Sequence, residues 1–492
     1  MPADAADDDA LGPVPPAIAA AYDATRFRAD GHAMIDRLAD HLARATGRDD
    51  ARVIPWQPPA DACAAFPPDF PDAPADDLDG VLARTVDHSI RLHHPRYLGH
   101  QVPPPLPAAA LVDAAAALLN NGMAVYEMGG ASVPQELAVI AWMARVLGLP
   151  STAGGVITSG GSAGNLTALL AARQAKAGFD VWTEGAHAGP PLALLVAATA
   201  HYSIDRAVRM LGWGAGGAIP VAVDDGLRMR ADDLPRALRD AEAAGRRVIA
   251  IVASAGSTAT GAYDPLPAIA DFAQAHGLWL HVDGAHGASA ALSPRHRALV
   301  EGIARADSVV WDAHKLMAMP ALCTAVIYRE DARSYQAFAQ EASYLFGGGS
   351  EVAWWDLGLR TLECTKRMMS TVVYASLRAY GVAWFRAYVE RTFALGDALA
   401  AKVRAADDFE LAVEPEANIV VFRYRPAASR TMTDDELDAL QARVRRRCVE
   451  EGRLYFLQTR LRGRLWLRTA LMNPLVEAQD LDAMLAAIRA AA

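Results

Sequence analysis

A lysine that follows an apolar run is a candidate for covalent chemistry. Lys315 stands in the segment SVVWDAHKLM at residues 308–317, directly after an apolar stretch and His314. Because Leu316 and Met317 follow it, we expect the amine to be partly desolvated, which lowers its pKa and favours the neutral, nucleophilic form. Such an amine can form a Schiff base, whereas a single lysine in this setting can also be an ordinary surface residue.

A glycine-rich stretch, TSGGSAGN at residues 158–165, also follows an apolar run and opens a helical segment. Glycines allow close approach to the backbone, and a helix N-terminus offers unpaired N–H groups and a positive dipole end to a phosphate. The stretch also matches G-x-S-x-G, the nucleophile elbow of α/β-hydrolases, with Ser162 as nucleophile and Asp283 and His314 following in the serine, acid, histidine order. The motif alone leaves a phosphate site, a serine hydrolase and a plain tight turn open.

The segment HVDGAH at residues 281–286 follows another apolar run. Strand alternation puts His281 and Asp283 on one face, which could serve a metal. Three ligands so near to one another in sequence, with His286 as the third, would strain the coordination geometry, so we expect no metal. Asp283 at a strand end suits a carboxylate that keeps a pyridine nitrogen protonated and makes the ring an electron sink.

The elements that must position these residues form an α/β pattern. Short apolar runs alternate with helical stretches such as residues 163–177 and 265–276, and this alternation predicts a mostly parallel central sheet covered by helices on both faces. The runs lie at residues 155–158, 193–198, 248–253, 278–282 and 309–311. Functional groups in such sheets gather where strands end and helices begin, so we expect the three segments to meet at one edge.

The pattern changes on either side of this domain. Residues 1–93 contain an amphipathic helix at 26–45 but no core of their own, so we expect this helical segment to pack on a partner subunit. Residues 94–380 would form the large domain, and residues 381–492, with helices and strand-like runs, predict a smaller α+β C-terminal domain.

Composition favours a protein that acts on a small molecule. The 492 residues are 52% hydrophobic and 21% charged, which allows a large buried core. The net charge of -10 gives no footprint for nucleic acid or an anionic membrane, and no apolar run reaches the ~20 residues of a membrane span. The four cysteines form no C-x-x-C pair and the acidic N-terminus does not resemble a secretory signal, so we expect a cytoplasmic protein.

Taken together, these motifs resemble the group II pyridoxal-phosphate decarboxylases, which include aromatic-amino-acid, glutamate, cysteine-sulfinate, histidine and diaminobutyrate decarboxylases. The resemblance extends from about residue 94 to the C-terminus. The motifs that carry it are far more specific for the family together than any one of them is alone. They are HPRY at 94–97, TSGGS at 158–162, HYS at 201–203, GST at 256–258, HVD at 281–283, HK at 314–315, SYLF at 343–346, LRT at 467–469 and NP at 473–474.

This resemblance implies the aspartate-aminotransferase-like type I fold, pyridoxal 5'-phosphate as the cofactor, and a homodimer with active sites at the subunit interface. It implies that Lys315 holds the cofactor, that Asp283 pairs with the pyridine nitrogen and that His201 stacks on the ring. The remaining cofactor neighbours that it implies are Ser162, Ala163, Thr258 and His314.

Two further residues take roles from the same resemblance. Tyr344 is similar to the mobile-loop tyrosine of the family, and its phenol could protonate the product carbon. Arg468 falls where the family can bind the substrate carboxylate, although an arginine here can equally be a structural ion-pair partner.

The resemblance implies decarboxylation of an L-amino acid and leaves the substrate open. In the resembling enzymes the loop after HPRY helps line the side-chain pocket, where His100 and Gln101 offer hydrogen bonds in place of aromatic residues. We therefore predict a polar substrate, acidic or diamino. Asp312 stands where the family often has asparagine. The alternatives are an aromatic-acid decarboxylase, an aldehyde synthase and, more remotely, a serine hydrolase that uses Ser162.

Overall fold

The computed structural model of the protein describes residues 13–48, 52–336, 338 and 354–492. The α-helices in these residues are α1 (Pro16–Ala21), α2 (Ala24–Thr46), α3 (Pro59–Ala64), α4 (Leu78–Asp87), α5 (Pro107–Leu119), α6 (Ser132–Val146), α7 (Gly161–Lys176), α8 (Val181–Glu184), α9 (Tyr202–Met210), α10 (Leu234–Ala243), α11 (Leu266–Ala275), α12 (Met369–Ala405), α13 (Asp434–Glu451) and α14 (Ala478–Ala490). The strands are β1 (Gly154–Thr158), β2 (Leu192–Ala197), β3 (Ala218–Val221), β4 (Arg247–Ser254), β5 (Trp279–Asp283), β6 (Ser308–Asp312), β7 (Thr324–Tyr328), β8 (Phe409–Leu411), β9 (Ile419–Tyr424), β10 (Leu457–Leu461) and β11 (Arg464–Ala470).

A seven-stranded sheet in the order β1-β7-β6-β5-β4-β2-β3 lies at the centre of the fold. Strands β2 to β6 run parallel to one another, whereas β7 is antiparallel to both β6 and β1. The central strands are buried along almost their whole length because helices cover both faces. The predicted mostly parallel α/β sheet is confirmed. Pro220 is tolerated in β3 because β3 is an edge strand.

The strand directions bring the chemically interesting segments to one edge of this sheet. Strands β1, β2, β4, β5 and β6 all point the same way, since β7 reverses direction between β1 and β6. Their carboxyl ends are Thr158, Ala197, Ser254, Asp283 and Asp312. The glycine-rich stretch, His201, Thr258 and Lys315 follow these ends within a few residues, as a parallel sheet requires for a site at its carboxyl edge.

A second, four-stranded antiparallel sheet in the order β10-β11-β9-β8 packs against α12, α13 and α14 around its own apolar core. Gly381 interrupts α12 with φ 71° and ψ 159°, a conformation that favours glycine. The division of the chain at residues 93 and 380 stays a prediction.

Helix α2 leaves large apolar side chains uncovered. Phe27, Ile35 and Leu38 are 60%, 39% and 44% exposed. The helix contacts α4, where Arg37 binds the carboxylate of Asp79. Among the described residues, no helix combines the length and the apolar character that crossing a membrane would need.

Candidate active site

A cavity of about 240 Å³ opens at the carboxyl edge of the central sheet. It collects residues from five strand ends that are far apart in sequence. The predicted site residues that line it are Ser162, His201, Thr258, Asp283, His314 and Lys315. Ala163 follows Ser162 in the first turn of α7 and is not among the lining residues. Tyr344 lies outside the described residues.

Lys315 lies in the turn after β6 and is followed by two fully buried apolar residues. Leu316 and Met317 are 0% exposed, so the segment is fixed in place. The Nζ atom of Lys315 is 2.9 Å from Oδ2 of Asp312, which is only 1% exposed. The Thr324 hydroxyl donates to the other oxygen of Asp312 at 2.6 Å. The side chain of Lys315 is 18% exposed, and Asp312 is its ion-pair partner.

Asp283 ends β5 with its carboxylate facing the cavity, and the residue is 9% exposed. Its Oδ2 accepts a hydrogen bond from Asn165 Nδ2 at 3.1 Å, and its Oδ1 accepts one from the Ala285 backbone N–H at 3.2 Å. Both carboxylate oxygens therefore have a hydrogen-bond donor. An ionised acceptor at this position can pair with a protonated ring nitrogen.

His201 precedes α9 and caps its first turn. Its Nδ1 is 2.8 Å from the hydroxyl of Ser203. Burial lowers the pKa of His201, although the negative charge of Asp283 opposes this shift. The imidazole is therefore held in its neutral form, which suits a ring that stacks on a ligand in the cavity.

The glycine-rich stretch forms the helix N-terminus that a phosphate requires. Gly160 has φ 109°, a conformation that glycine adopts far more easily than other residues, and α7 begins at Gly161. A Cβ on Gly161 would lie 3.2 Å from both carboxylate oxygens of Asp312, so a side chain here would crowd the site. Gly160, Gly161 and Ser162 line the same cavity as Lys315, so this helix N-terminus borders the site.

The same geometry argues against the serine-hydrolase alternative. In a nucleophile elbow the strained residue is the serine itself, whereas here Gly160 takes the strained conformation and Ser162 lies in a regular helical turn. His314 Nδ1 lies 3.0 Å from the Cys323 carbonyl oxygen, and its Nε2 lies 3.5 Å from Asp312. No hydrogen bond joins Ser162 to His314 in the part of the chain that the structure describes.

The two histidines around Asp283 have partners that are not metals. His281 Nε2 is 3.0 Å from Asn165 Oδ1, and His286 Nε2 is 2.8 Å from Asn418 Oδ1. Burial lowers the pKa of His281 to about 4 and that of His286 to about 3. Among residues 13–48, 52–336, 338 and 354–492, no three His, Cys, Asp or Glu side chains are grouped as a metal site would need.

Arg468 approaches the cavity from β11 of the small sheet. Its Nη2 donates to the carbonyl oxygen of Thr258 at 2.6 Å, and its Nε donates to that of Ala259 at 3.2 Å. The residue is 5% exposed, and burial lowers its pKa to about 10. Within the described residues it forms no ion pair with a carboxylate, so its charge is held next to the site without an anion.

His100 and Gln101 do not line the cavity but belong to a loop tied to the lysine segment. Leu106, at the end of this loop, donates its N–H to the carbonyl oxygen of Ala318 at 2.9 Å. His100 Nε2 is 2.8 Å from the hydroxyl of Tyr455. The Nε2 atom of Gln101 is buried without a hydrogen-bond partner in the described residues, so it offers a free donor.

Asn165 is a functional candidate that the sequence motifs do not single out. It is 1% exposed and binds Asp283 and His281 from the buried face of α7. A signal was present, because Asn165 falls on the same helical face as Leu169 and Ala172, and a polar residue on a buried face needs a buried partner.

The residues present fit pyridoxal phosphate. The cavity has an amine at one side, a helix N-terminus with a glycine turn near it, a buried carboxylate, and a neutral imidazole beside that carboxylate. These are the groups that an aldehyde, a phosphate, a pyridine nitrogen and an aromatic ring respectively require. Lys315, the α7 N-terminus, Asp283 and His201 would hold the four parts of the cofactor.

Comparison with known proteins agrees with this chemistry. The sequence profile of the pyridoxal-dependent decarboxylase conserved domain matches residues 59–425. Mouse cysteine sulfinic acid decarboxylase is 33% identical over 412 residues, which cover 82% of this chain and 83% of that protein. The mouse acidic amino acid decarboxylase GADL1 is 29% identical over 449 residues, or 88% of this chain and 80% of that protein.

Two further similarities extend over almost the whole chain. The aromatic-L-amino-acid decarboxylase of Bacillus atrophaeus is 26% identical over 470 residues, which cover 95% of this chain and 96% of that protein. A crystal structure of mouse CSAD has a TM-score of 0.89 to this protein at 28% identity, covering 95% of this chain and 99% of that chain. The fold is thus the type I fold of pyridoxal-phosphate enzymes. Since the matched domain spans well over half of the sequence, the chain belongs to the pyridoxal-dependent decarboxylase family and is a pyridoxal-phosphate-dependent amino-acid decarboxylase, a carboxy-lyase.

Proposed function

We propose that the protein decarboxylates an acidic L-amino acid to the corresponding amine and carbon dioxide. The observation that carries this proposal is the buried guanidinium of Arg468, which binds the carbonyl oxygens of Thr258 and Ala259 but no carboxylate among the described residues. A buried cation without an anion is costly. We assign the missing negative charge to an acidic side chain of the substrate, because the charge of Arg468 acts on His100, in the loop that we expect to line the side-chain pocket.

The surroundings of His100 favour an acidic over a diamino substrate. The pKa of His100 is lowered first by burial and then by the positive charges of Arg468 and Arg445. Two guanidinium groups near one loop attract an anionic side chain and repel a second ammonium. Two of the relatives are named for cysteine sulfinic acid and for acidic amino acids, which agrees with this preference.

When bound, pyridoxal phosphate supplies a ring that accepts the electron pair released as the bond to the carboxylate breaks. We assign the cofactor's attachment to Lys315 and the pairing of its ring nitrogen to Asp283. The neutral His201 ring orients the cofactor from one face. Arg468 holds a substrate carboxylate, and the buried walls of the cavity limit the access of water.

The reaction ends when the former α-carbon takes up a proton, and we assign this proton to the phenol of Tyr344. A phenol is a suitable general acid for a carbanion. Protonation yields the amine, whereas oxidation at the same stage yields an aldehyde. The presence of Tyr344 and His201 in this sequence favours the amine over the aldehyde-synthase alternative.

We further propose a homodimer in the cytoplasm, with the active site at the subunit interface. The exposed apolar side chains of Phe27, Ile35 and Leu38 on α2 give this helix a face that a second subunit can cover. Four free cysteines suit a reducing compartment. Light scattering of the purified protein should give the mass of two chains, and a monomer at micromolar concentration would contradict the assembly.

A substrate survey with the purified holoenzyme tests the proposed function. Aspartate, glutamate, cysteine sulfinate, 2,4-diaminobutyrate, tyrosine and tryptophan are each assayed for carbon dioxide and for the amine. We expect kcat/KM for the best acidic substrate to exceed those of the diamino and aromatic acids at least tenfold. An aromatic acid or diaminobutyrate that outperforms all three acidic substrates would overturn the proposal.

Two arginine variants connect the survey to the structure. Arg468→Gln should raise KM for the acidic substrate by about 30-fold or more, because removing one partner of a buried charge pair costs about 2 kcal/mol or more. Arg423→Gln is the matched control, since Arg423 is also buried in the small sheet but is paired with Asp438. It should lower stability and leave the order of substrates unchanged.

A further inference from the structure

A chain of buried hydrogen bonds leads from the interior of the sheet to the cavity. Trp279 Nε1 donates to Ser308 Oγ at 2.9 Å, and Ser308 Oγ lies 2.8 Å from His281 Nδ1. His281 Nε2 lies 3.0 Å from Asn165 Oδ1. These four residues are at most 2% exposed, so solvent does not compete for these bonds.

At Asn165 the chain divides into two branches that both reach the cavity. Its Nδ2 donates to Asp283 Oδ2 at 3.1 Å and to Ser203 Oγ at 3.0 Å. Ser203 Oγ lies 2.8 Å from His201 Nδ1. One amide group therefore contacts Asp283 directly and reaches His201 through Ser203.

The chemistry of the two ends fixes the direction of every bond between them. An indole N–H only donates and an ionised carboxylate only accepts. Because Asp283 accepts, Asn165 must turn its NH₂ group towards it and its carbonyl oxygen towards His281. His281 then carries its proton on Nε2, and its Nδ1 accepts from Ser308, whose oxygen in turn accepts from Trp279.

The branch to His201 follows from the same logic. Ser203 Oγ accepts from Asn165, so its own hydrogen points to His201 Nδ1. That nitrogen is an acceptor, and the proton of the neutral ring lies on Nε2. The backbone N–H of Ser203 also donates to His201 Nδ1, at 3.4 Å.

We propose that Asn165 is a positioning residue that sets this polarity, so that Asp283 accepts its hydrogen bond and His201 stays the Nε2-protonated tautomer. Asn165 also lines the cavity, but the role proposed for it is exerted through these two residues. The lowered pKa values of His281 and His201, both caused first by burial, agree with neutral rings along the chain. The proposal holds for any substrate of the enzyme.

The Asn165→Asp variant tests the polarity directly, because it keeps the shape and the acceptor for His281 but removes both N–H donors. The introduced carboxylate would accept the Ser203 hydroxyl hydrogen, so Ser203 Oγ would become an acceptor for His201. We expect the proton of His201 to move from Nε2 to Nδ1. The measurement is nitrogen NMR of the holoenzyme labelled with ¹⁵N-histidine, with the His201 signals assigned from His201→Gln.

The parent enzyme should show an unprotonated Nδ1 and a protonated Nε2 at His201, and the variant should show the reverse together with at least tenfold weaker binding of pyridoxal phosphate. A protonated Nδ1 in the parent would overturn the proposal even if the variant fails to fold. An unchanged His201 signal in a folded Asn165→Asp variant would also overturn it. Asn473→Asp is the matched control, since Asn473 is equally buried at 1% exposure but donates to backbone carbonyls away from the cavity. It should leave the His201 signals in place.

Discussion

Replacing Asp283 by asparagine tests the electron-sink role proposed for this carboxylate, because it removes the negative charge while keeping the shape of the site. In the structure both carboxylate oxygens are occupied, one by Asn165 Nδ2 and the other by the Ala285 N–H. Asparagine has only one acceptor oxygen, so one of these donors would face an NH₂ group. That mismatch costs about 1–3 kcal/mol of stability.

The larger effect falls on catalysis. Removing one partner of a buried charge pair costs about 3–5 kcal/mol, and each 1.36 kcal/mol is tenfold in rate, so we expect kcat to fall by about 10²- to 10⁴-fold. Cofactor binding should be partly retained, because Lys315 and the α7 N-terminus are untouched. Carbon dioxide release per bound cofactor, with occupancy read from the visible absorbance, measures this loss.

Asp264→Asn provides the matched control for this experiment. Asp264 is 4% exposed and also accepts two backbone N–H bonds, from Met229 at 2.6 Å and from Ser254 at 2.7 Å, but it does not line the cavity. It should destabilise the protein and leave kcat per bound cofactor within about threefold, an effect of well under 1 kcal/mol. A near-parental kcat in Asp283→Asn at full cofactor occupancy would refute the electron-sink role.

Three further outcomes are expected. Lys366→Met should lower the free energy of unfolding by about 3–5 kcal/mol, because it leaves the fully buried carboxylate of Glu136 without its ion-pair partner. The double variant with Glu136→Gln should recover much of this loss, as measured by calorimetry. An equal loss in both variants would contradict the ion pair. Burial holds the pKa of His281 at about 4 and that of His286 at about 3, below the ordinary value, so the unfolded chain binds more protons in acid. The stability that these neutral rings contribute is complete above pH ~6.5 and is lost below it at about 1.4 kcal/mol per pH unit for each ring, and a flat unfolding temperature from pH 7 to 5 would contradict this. Tyr344→Phe should convert amine production into oxygen-consuming release of aldehyde, ammonia and peroxide, whereas amine at the parental rate without oxygen uptake would assign the proton to another group.

The sequence predicts the main architecture of the fold because the buried strands of a parallel sheet are apolar along their whole length. All five apolar runs named from the sequence are strands of the central sheet. The antiparallel direction of β7 is not encoded in hydrophobic periodicity, since alternation fixes the face of a residue and not the direction of its strand. It depends instead on which neighbour the strand meets in the folded sheet.

The residues that line the cavity can be predicted for a similar reason, whereas the residues that hold them in place cannot. Asp283 and Lys315 follow strand ends in the sequence, so topology alone brings them together. Asn165 and Ser203 act through contacts between α7, α9 and β5 that lie 38 and 118 residues apart. Such contacts arise only when helices pack on the sheet, and no local motif records them.

The central claim, that Lys315 carries pyridoxal phosphate in this cavity, has a direct chemical test. Borohydride reduction of the holoenzyme fixes the cofactor to the lysine that holds it, and peptide mass spectrometry then identifies that lysine. We predict that the added mass maps to Lys315 alone and that Lys315→Ala shows neither the adduct nor turnover. A reduced adduct on any other lysine, or full turnover by Lys315→Ala, would contradict the account.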